Sequence, residues 1–195
     1  MAPLFAAIIL VVSGVALAAL TPDQVVTNIG IVTTVSGDLN NILGTLSTST
    51  DPDDVETIAQ TVVDDFTTIV GDLAADVTAM NETPPFDDED AEPIVEALDD
   101  FVHVHQILLA TVIGQHSIFS QFGLTAPITA ILRDLEAGID SFAFAMIDLI
   151  PTKSSDVTDD RNQLDTSVGN TISQYEQLCI PSPLYPELLP ICIAL

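Results

Sequence analysis

Between Phe101 and Leu132 the chain contains no Asp, Glu, Lys or Arg, although its formal net charge is −26. The stretch reads FVHVHQILLATVIGQHSIFSQFGLTAPITAIL. An outer helix of a water-soluble bundle needs a charged face toward solvent. This segment has none, so it must be covered by other helices, by a lipid or by another surface. A membrane span does not suit it. Gln115, His116, Ser117, Ser120, Gln121 and Gly123 interrupt the apolar run before about 20 residues accumulate.

The charge balance narrows the choice of partner. There are 29 acidic side chains against 3 basic ones, Arg133, Lys153 and Arg161. Nucleic acid and anionic bilayers would repel such a surface. The absence of Trp and the aromatic fraction of 5% argue against a carbohydrate-stacking module. The hydrophobic fraction of 48% separates the chain from acidic disordered segments.

The first residues, MAPLFAAIILVVSGVALAAL, read as a secretory signal. An apolar run from Leu4 to Val12 precedes Ala16-Leu17-Ala18, a small-residue cleavage pattern. No Lys or Arg precedes that run, which leaves an N-terminal membrane anchor as the alternative. No second apolar span follows, and the terminal LLPICIAL is too short for a lipid-anchor attachment signal. The expected organisation is a signal peptide over 1–18 and one helical domain over 19–195, secreted and extracellular. That is enough chain for a real core.

Only two cysteines occur, Cys179 and Cys192. An even pair in an oxidising compartment reads as one disulfide, closing the C-terminal tail. The loop is short, so the entropic stabilisation is at most about 3 kcal/mol. Pro181, Pro183, Pro186 and Pro190 already stiffen it and reduce that figure. A redox or metal role does not fit two thiols without CxxC spacing or partner ligands.

Helical periodicity runs through the rest. Thr21-Pro22 starts a first helix, with Thr21 as N-cap and Pro22 at the first helical position; Ser47 to Thr50 end it. Asp51-Pro52 repeats the signal and opens a second. There Val55, Ile58, Ala59, Val62, Val63, Phe66, Ile69, Val70, Leu73 and Val77 fall at i, i+3, i+4 and i+7 spacings. Asn81 to Asp90, NETPPFDDED, is a loop, because Pro84-Pro85 cannot continue a helix. Its acids stack at a helix N-terminus, where the macrodipole favours negative charge. EF-hand spacing is absent. A third helix is expected from about Ala91 to Phe122, with Gly123 as C-cap. A fourth runs from Thr125 to Ile150, stopped at Pro151. The fifth, from about Ser155, has a narrow stripe of Leu164, Val168, Ile172, Tyr175 and Leu178 and reads as an outer cover over a central third and fourth pair. No hairpin turns or β-alternation are seen. The expected fold is all-α, a monomeric bundle of about five long amphipathic helices of about 35–40 Å each.

Catalytic patterns are missing. There is no GxSxG, no HExxH, no phosphate-binding Gly loop and no paired Cys/His metal pattern. His103 and His105 lie two apart and face away from each other. His105 and His116 share a stripe but stand about 16 Å apart along the axis, too far to share a metal. No enzyme, cofactor or metal is therefore expected. Asn81-Glu82-Thr83 fits the N-glycosylation pattern, with Pro84 following it.

The strings VIGQHSIF, FGLTAPI and SFAFAMIDLIP between Val104 and Pro151 resemble the fungal hydrophobic surface-binding protein A family. So does DTSVGNTISQYEQLCIPSPLYP near the end. The same domain occurs in fungal cell-wall galactomannoproteins. The likeness covers the chain from Leu20 to Cys192. It implies a secreted, non-enzymatic helical bundle that adsorbs to hydrophobic surfaces, or holds a long-chain, fatty-acid-like lipid in an apolar cavity between helices. It also implies recruitment of a secreted cutinase-like polyester hydrolase. Phe66, Phe101, Leu108, Val112, Phe119, Phe142 and Met146 are candidate cavity walls; equally, they are residues that fill a core. His105, His116 or Ser141 are candidates to meet a lipid carboxylate. The alternative is a structural, cell-wall-associated mannoprotein without a specific ligand, although the chain has no Ser/Thr-rich stalk.

Overall fold

The computed structural model describes residues 19–194. The signal-peptide reading falls on residues 1–18, outside them. Five helices follow in order: α1 (Pro22–Leu43), α2 (Pro52–Asn81), α3 (Asp88–Gln121), α4 (Thr125–Leu149) and α5 (Ser154–Tyr175). A 3-10 turn, Pro151–Lys153, leads into α5. Two short strands, β1 (Leu178–Ile180) and β2 (Ile191–Ile193), end the described chain.

The starts of α1 and α2 follow their sequence signals. Thr21 accepts from the Gln24 N–H while the Gln24 side chain accepts from the Thr21 N–H, a capping box with Pro22 at the first position. Such a box satisfies two donors that a helix start otherwise leaves unpaired. Asp51 caps α2 through the Asp53 N–H. The third helix starts three residues earlier than its periodicity suggests. Asp87 accepts from the N–H groups of Glu89 and Asp90, which draws the acid run into the first turn. Gly123 ends this helix region at φ 72°, a conformation that glycine adopts without strain.

The helices close a ring in the order α1, α2, α4, α5, α3. Ser36 meets His105 and the Leu43 carbonyl meets Gln115, so α1 and α3 run parallel. Leu73 packs on Gly138 and the Phe86 N–H reaches the Leu149 carbonyl, so α2 and α4 run parallel. Tyr175 meets Thr129 while Arg161 meets Asp140, so α5 runs against α4. Odd-numbered helices thus point one way and even-numbered helices the other.

This arrangement differs from a cover over a central α3–α4 pair. Instead α5 is inserted between α3 and α4, which barely touch each other. Its buried stripe of Val157, Leu164, Val168, Ile172 and Tyr175 is narrow but wedged between two apolar flanks. All three basic side chains pin that wedge. Arg161 pairs with Asp140 and Asp165, and Lys153 with Glu92 and Asp88. Arg133 pairs with Glu176.

Helical periodicity gives no sign of the β-ribbon. The ribbon pairs Leu178 with Ile193, Cys179 with Cys192 and Ile180 with Ile191, antiparallel. Strands of three residues are too short to show alternation above background. The Cys179–Cys192 disulfide crosses the ribbon at its central rung. Among the described residues no helix is long and apolar enough to cross a membrane.

Candidate functional site

Nine of the ten residues singled out as wall or head-group candidates lie in the bundle interior. Phe66, Phe101, Leu108, Val112, Phe119, Phe142 and Met146 belong to one buried cluster. Phe101 stacks on Phe142 at 6.0 Å between ring centres. The crevice bounded by Phe101, Phe142 and Asp160 holds about 20 Å³. A chamber for a long acyl chain would need several hundred.

The three polar candidates do not converge. His105 lies fully buried between α3 and α1. Its Nδ1 contacts the Phe101 carbonyl at 2.8 Å and its Nε2 contacts Ser36 Oγ at 2.9 Å. A carbonyl only accepts, so Nδ1 carries the proton. Burial pushes the imidazole pKa down to about 4, so the ring is neutral near pH 7; Nε2 faces the Ser36 hydroxyl, which also donates to the Val32 carbonyl at 3.0 Å. Neither side chain reaches solvent, and the pair binds α1 to α3. His116 faces the tail. It contacts Gln174 at 3.1 Å, lies edge-on to Tyr175 and stands 3.7 Å from Cys179 Sγ. Burial lowers its pKa as well. His116, Cys179 and Cys192 sit within metal-coordinating distance of one another. Their sulfurs are joined to each other, so they offer no thiolates.

Ser141 is the exposed member, and it lies on a groove between α2 and α4. The groove measures about 540 Å³ and is open to solvent. Val70, Ala74, Val77, Ile131, Ala137 and Gly138 line it, with Thr67, Asp134 and Ser141. The Thr67 hydroxyl donates to the Val63 carbonyl and the Ser141 hydroxyl to the Ala137 carbonyl. Both donors are thus satisfied within their own helices, and the floor presents mostly carbon. The groove exists because Ala74, Ala137 and Gly138 are small on facing helices. In the sequence those residues carry no apolar signal, which is why periodicity passes over them.

A second apolar area lies on the tail. Ten large apolar side chains are exposed among the described residues, and seven of them fall between Leu178 and Ile193. An adjoining hollow of about 330 Å³ is bounded by Ile180, Pro183, Leu184, Leu188, Leu189 and Ile191. The sequence signal was available. From Gln177 to Ala194 the only charged residue is Glu187.

One buried carboxylate stands apart. Asp160 on α5 is 6% exposed, and its Oδ2 has no hydrogen-bond partner among the described residues. Burial, then the charge of Asp99 on α3, pushes its pKa up to about 6; Asp156 and Asp159 add to this.

Residues 22–148 match the family model for hydrophobic surface binding protein A. The chain belongs to that family. Two solved structures share the fold. The crystal structure of AFMP4P in complex with palmitic acid superposes with a TM-score of 0.71 at 12% identity, covering 80% of this chain and 99% of that one. The second ligand-binding domain of the Penicillium marneffei MP1 protein, complexed with multiple arachidonic acids, gives a TM-score of 0.66 at 13% identity over 79% of this chain and 93% of its own. At such identities the likeness shows the helical fold. No protein of curated function matches the sequence. The family match ends at residue 148, so α5 and the disulfide-closed tail lie beyond it.

Proposed function

We propose that the protein is secreted and non-enzymatic, binds hydrophobic surfaces and fatty-acid-like lipid, and brings a secreted cutinase-like hydrolase to such surfaces. The observation that carries the lipid part is the α2–α4 groove. It is apolar, its hydroxyls are internally satisfied, and its volume of about 540 Å³ lies within the range of small-ligand sites. Family membership supports the reading, as do related folds that hold palmitic and arachidonic acids. The apolar run and the Ala16-Leu17-Ala18 pattern support secretion.

The parallel course of α2 and α4 places Thr67 and Ile131 at one end of the groove and Val77 and Ser141 at the other. Asp134 belongs to the Ile131 end and repels a carboxylate there. The head of a bound fatty acid therefore lies toward Ser141. Native mass spectrometry of the mature protein with C16 to C20 acids and their methyl esters tests this. The expected result is one saturable acyl ligand, with affinity reduced about tenfold in Ala74→Phe, which fills the groove from an exposed position. No saturable ligand of either kind would overturn the reading.

A further inference from the structure

We infer that the disulfide-closed tail is the face by which this protein adsorbs to an uncharged aliphatic solid such as a wax or polyester film. This rests on the surface-binding half of the reading above and assigns it to a place. The lipid groove is a separate site.

Side chains alternate across a strand, and directly opposed residues share a face. Leu178, Ile180, Ile191 and Ile193 therefore stand together on one face as two cross-strand pairs. They are 56%, 59%, 68% and 56% exposed. Cys179 and Cys192 occupy the opposite face, turned toward His116 and Ser120 of α3. Leu184, Leu188 and Leu189 extend the apolar area through the connecting loop.

The tail is also held with its apolar face outward. Gln121 donates to the Ser182 carbonyl at 3.1 Å and accepts from the Ser182 N–H at 2.8 Å. Tyr185 packs edge-on against Phe122. With the disulfide, these ties stop the apolar residues from folding back onto the bundle. Exposed apolar area concentrated in this way marks an interaction site.

Charge selects the occupant. A second copy would bring another body of net charge −26 to an area with no compensating cation. A protein strand added at the ribbon edge would find only three residues per strand, next to Pro181 and Pro190. An uncharged solid requires neither countercharges nor hydrogen-bond register. It rewards apolar area alone.

The test uses the full mature protein on an aliphatic polyester film. Two double variants are compared with wild type, Ile180→Ser/Ile191→Ser and Leu178→Ser/Ile193→Ser. Their folding is checked by thermal melting, and each is also titrated with palmitic acid. The expected result is about a tenfold loss of film affinity in both, with fatty-acid binding and melting midpoint unchanged. Wild-type adsorption that both variants retain would overturn the assignment while leaving surface binding intact. A wild type that binds palmitic acid but never adsorbs would overturn it from the other side. Gel filtration showing a wild-type dimer that the substitutions convert to monomer would mean that a second copy is the occupant, and would overturn it too.

Discussion

Two stretches of this chain are nearly free of charge, and they meet opposite fates. From Phe101 to Leu132 most large side chains are buried. From Leu178 to Ile193 most are exposed. Both are apolar, so hydrophobicity alone does not separate them. Length and backbone do. The first stretch continues as long helices, α3 and α4, which bring flanks that α1, α2 and α5 cover. Its outward side uses His103, Ala110 and Gly114 in place of charges, with Ile107 the one large apolar residue there. The second stretch is broken by four prolines and closed by a disulfide. It cannot form a helix, and its strands are too short to build a sheet with a core side. Absence of charge therefore signals burial only where the backbone can present a second element to pack against.

The contrast is broken most severely by placing charge in each stretch. Leu108→Asp puts an unpaired carboxylate at a fully buried position and should destabilise the bundle by about 4 kcal/mol or more. Ile191→Asp should alter stability by no more than about 0.5 kcal/mol. Thermal melts of the two variants at pH 7 read the difference. Comparable losses would show that the tail belongs to the cooperative core.

A smaller effect is expected from Cys179→Ser/Cys192→Ser. The closed loop spans a sequence separation of only 13, so the loss is at most about 3 kcal/mol. It should appear as faster proteolysis between Leu178 and Ile193, with the far-ultraviolet melt of the helices shifted only a few degrees.

Smaller still is the effect of Asp160→Asn. The folded-state pKa of about 6 lies above the ordinary 3.8. Ionisation of Asp160 thus opposes folding. That penalty is absent below about pH 4 and fully present above about pH 6. The variant should gain about 1 kcal/mol at pH 7, roughly 3 °C in melting midpoint, and nothing near pH 3.5. An equal gain at both pH values would mean that packing, not ionisation, is responsible.

The smallest expected effect concerns adsorption itself. Lowering pH toward the sequence pI of about 4.1 removes lateral repulsion between molecules on a film, while the apolar tail is unchanged. Coverage should rise about twofold, and salt at pH 7 should reproduce part of the rise, because the Debye length at 0.1 M is about 10 Å. Isotherms at two pH values and two salt concentrations measure it. Identical coverage in all four would leave the acidic surface a role in solubility alone.

The particular elements show why some features were readable from sequence and others were not. Thr21-Pro22 and Asp51-Pro52 announce α1 and α2, because capping is local chemistry. The buried faces of α2 and α4 follow from their periodicity. The ring order does not. The stripe on α5 says that one side is buried but not between which helices. The Ser36–His105 contact joins residues 69 apart, and neither helix alone signals it. The groove depends on volume that Ala74, Ala137 and Gly138 lack, and missing atoms leave no periodicity. The tail lay in plain view as a composition, yet its outward face depends on the rung pairing of β1 and β2.

The two ends of α3 have a material consequence. Asp87 to Asp90 stand at its first turn, while Gln121 and Phe122 hold the tail at its last. The helix has 34 residues, which sets these ends about 50 Å apart. A molecule standing on its tail would lift that run of carboxylates to the outer boundary of the layer. A waxy sheet coated in this way would be wetted by water, and its contact angle would fall. The coating would then attract whatever cationic macromolecule diffuses nearby, onto a material that in its bare state offers such a molecule no electrostatic attraction.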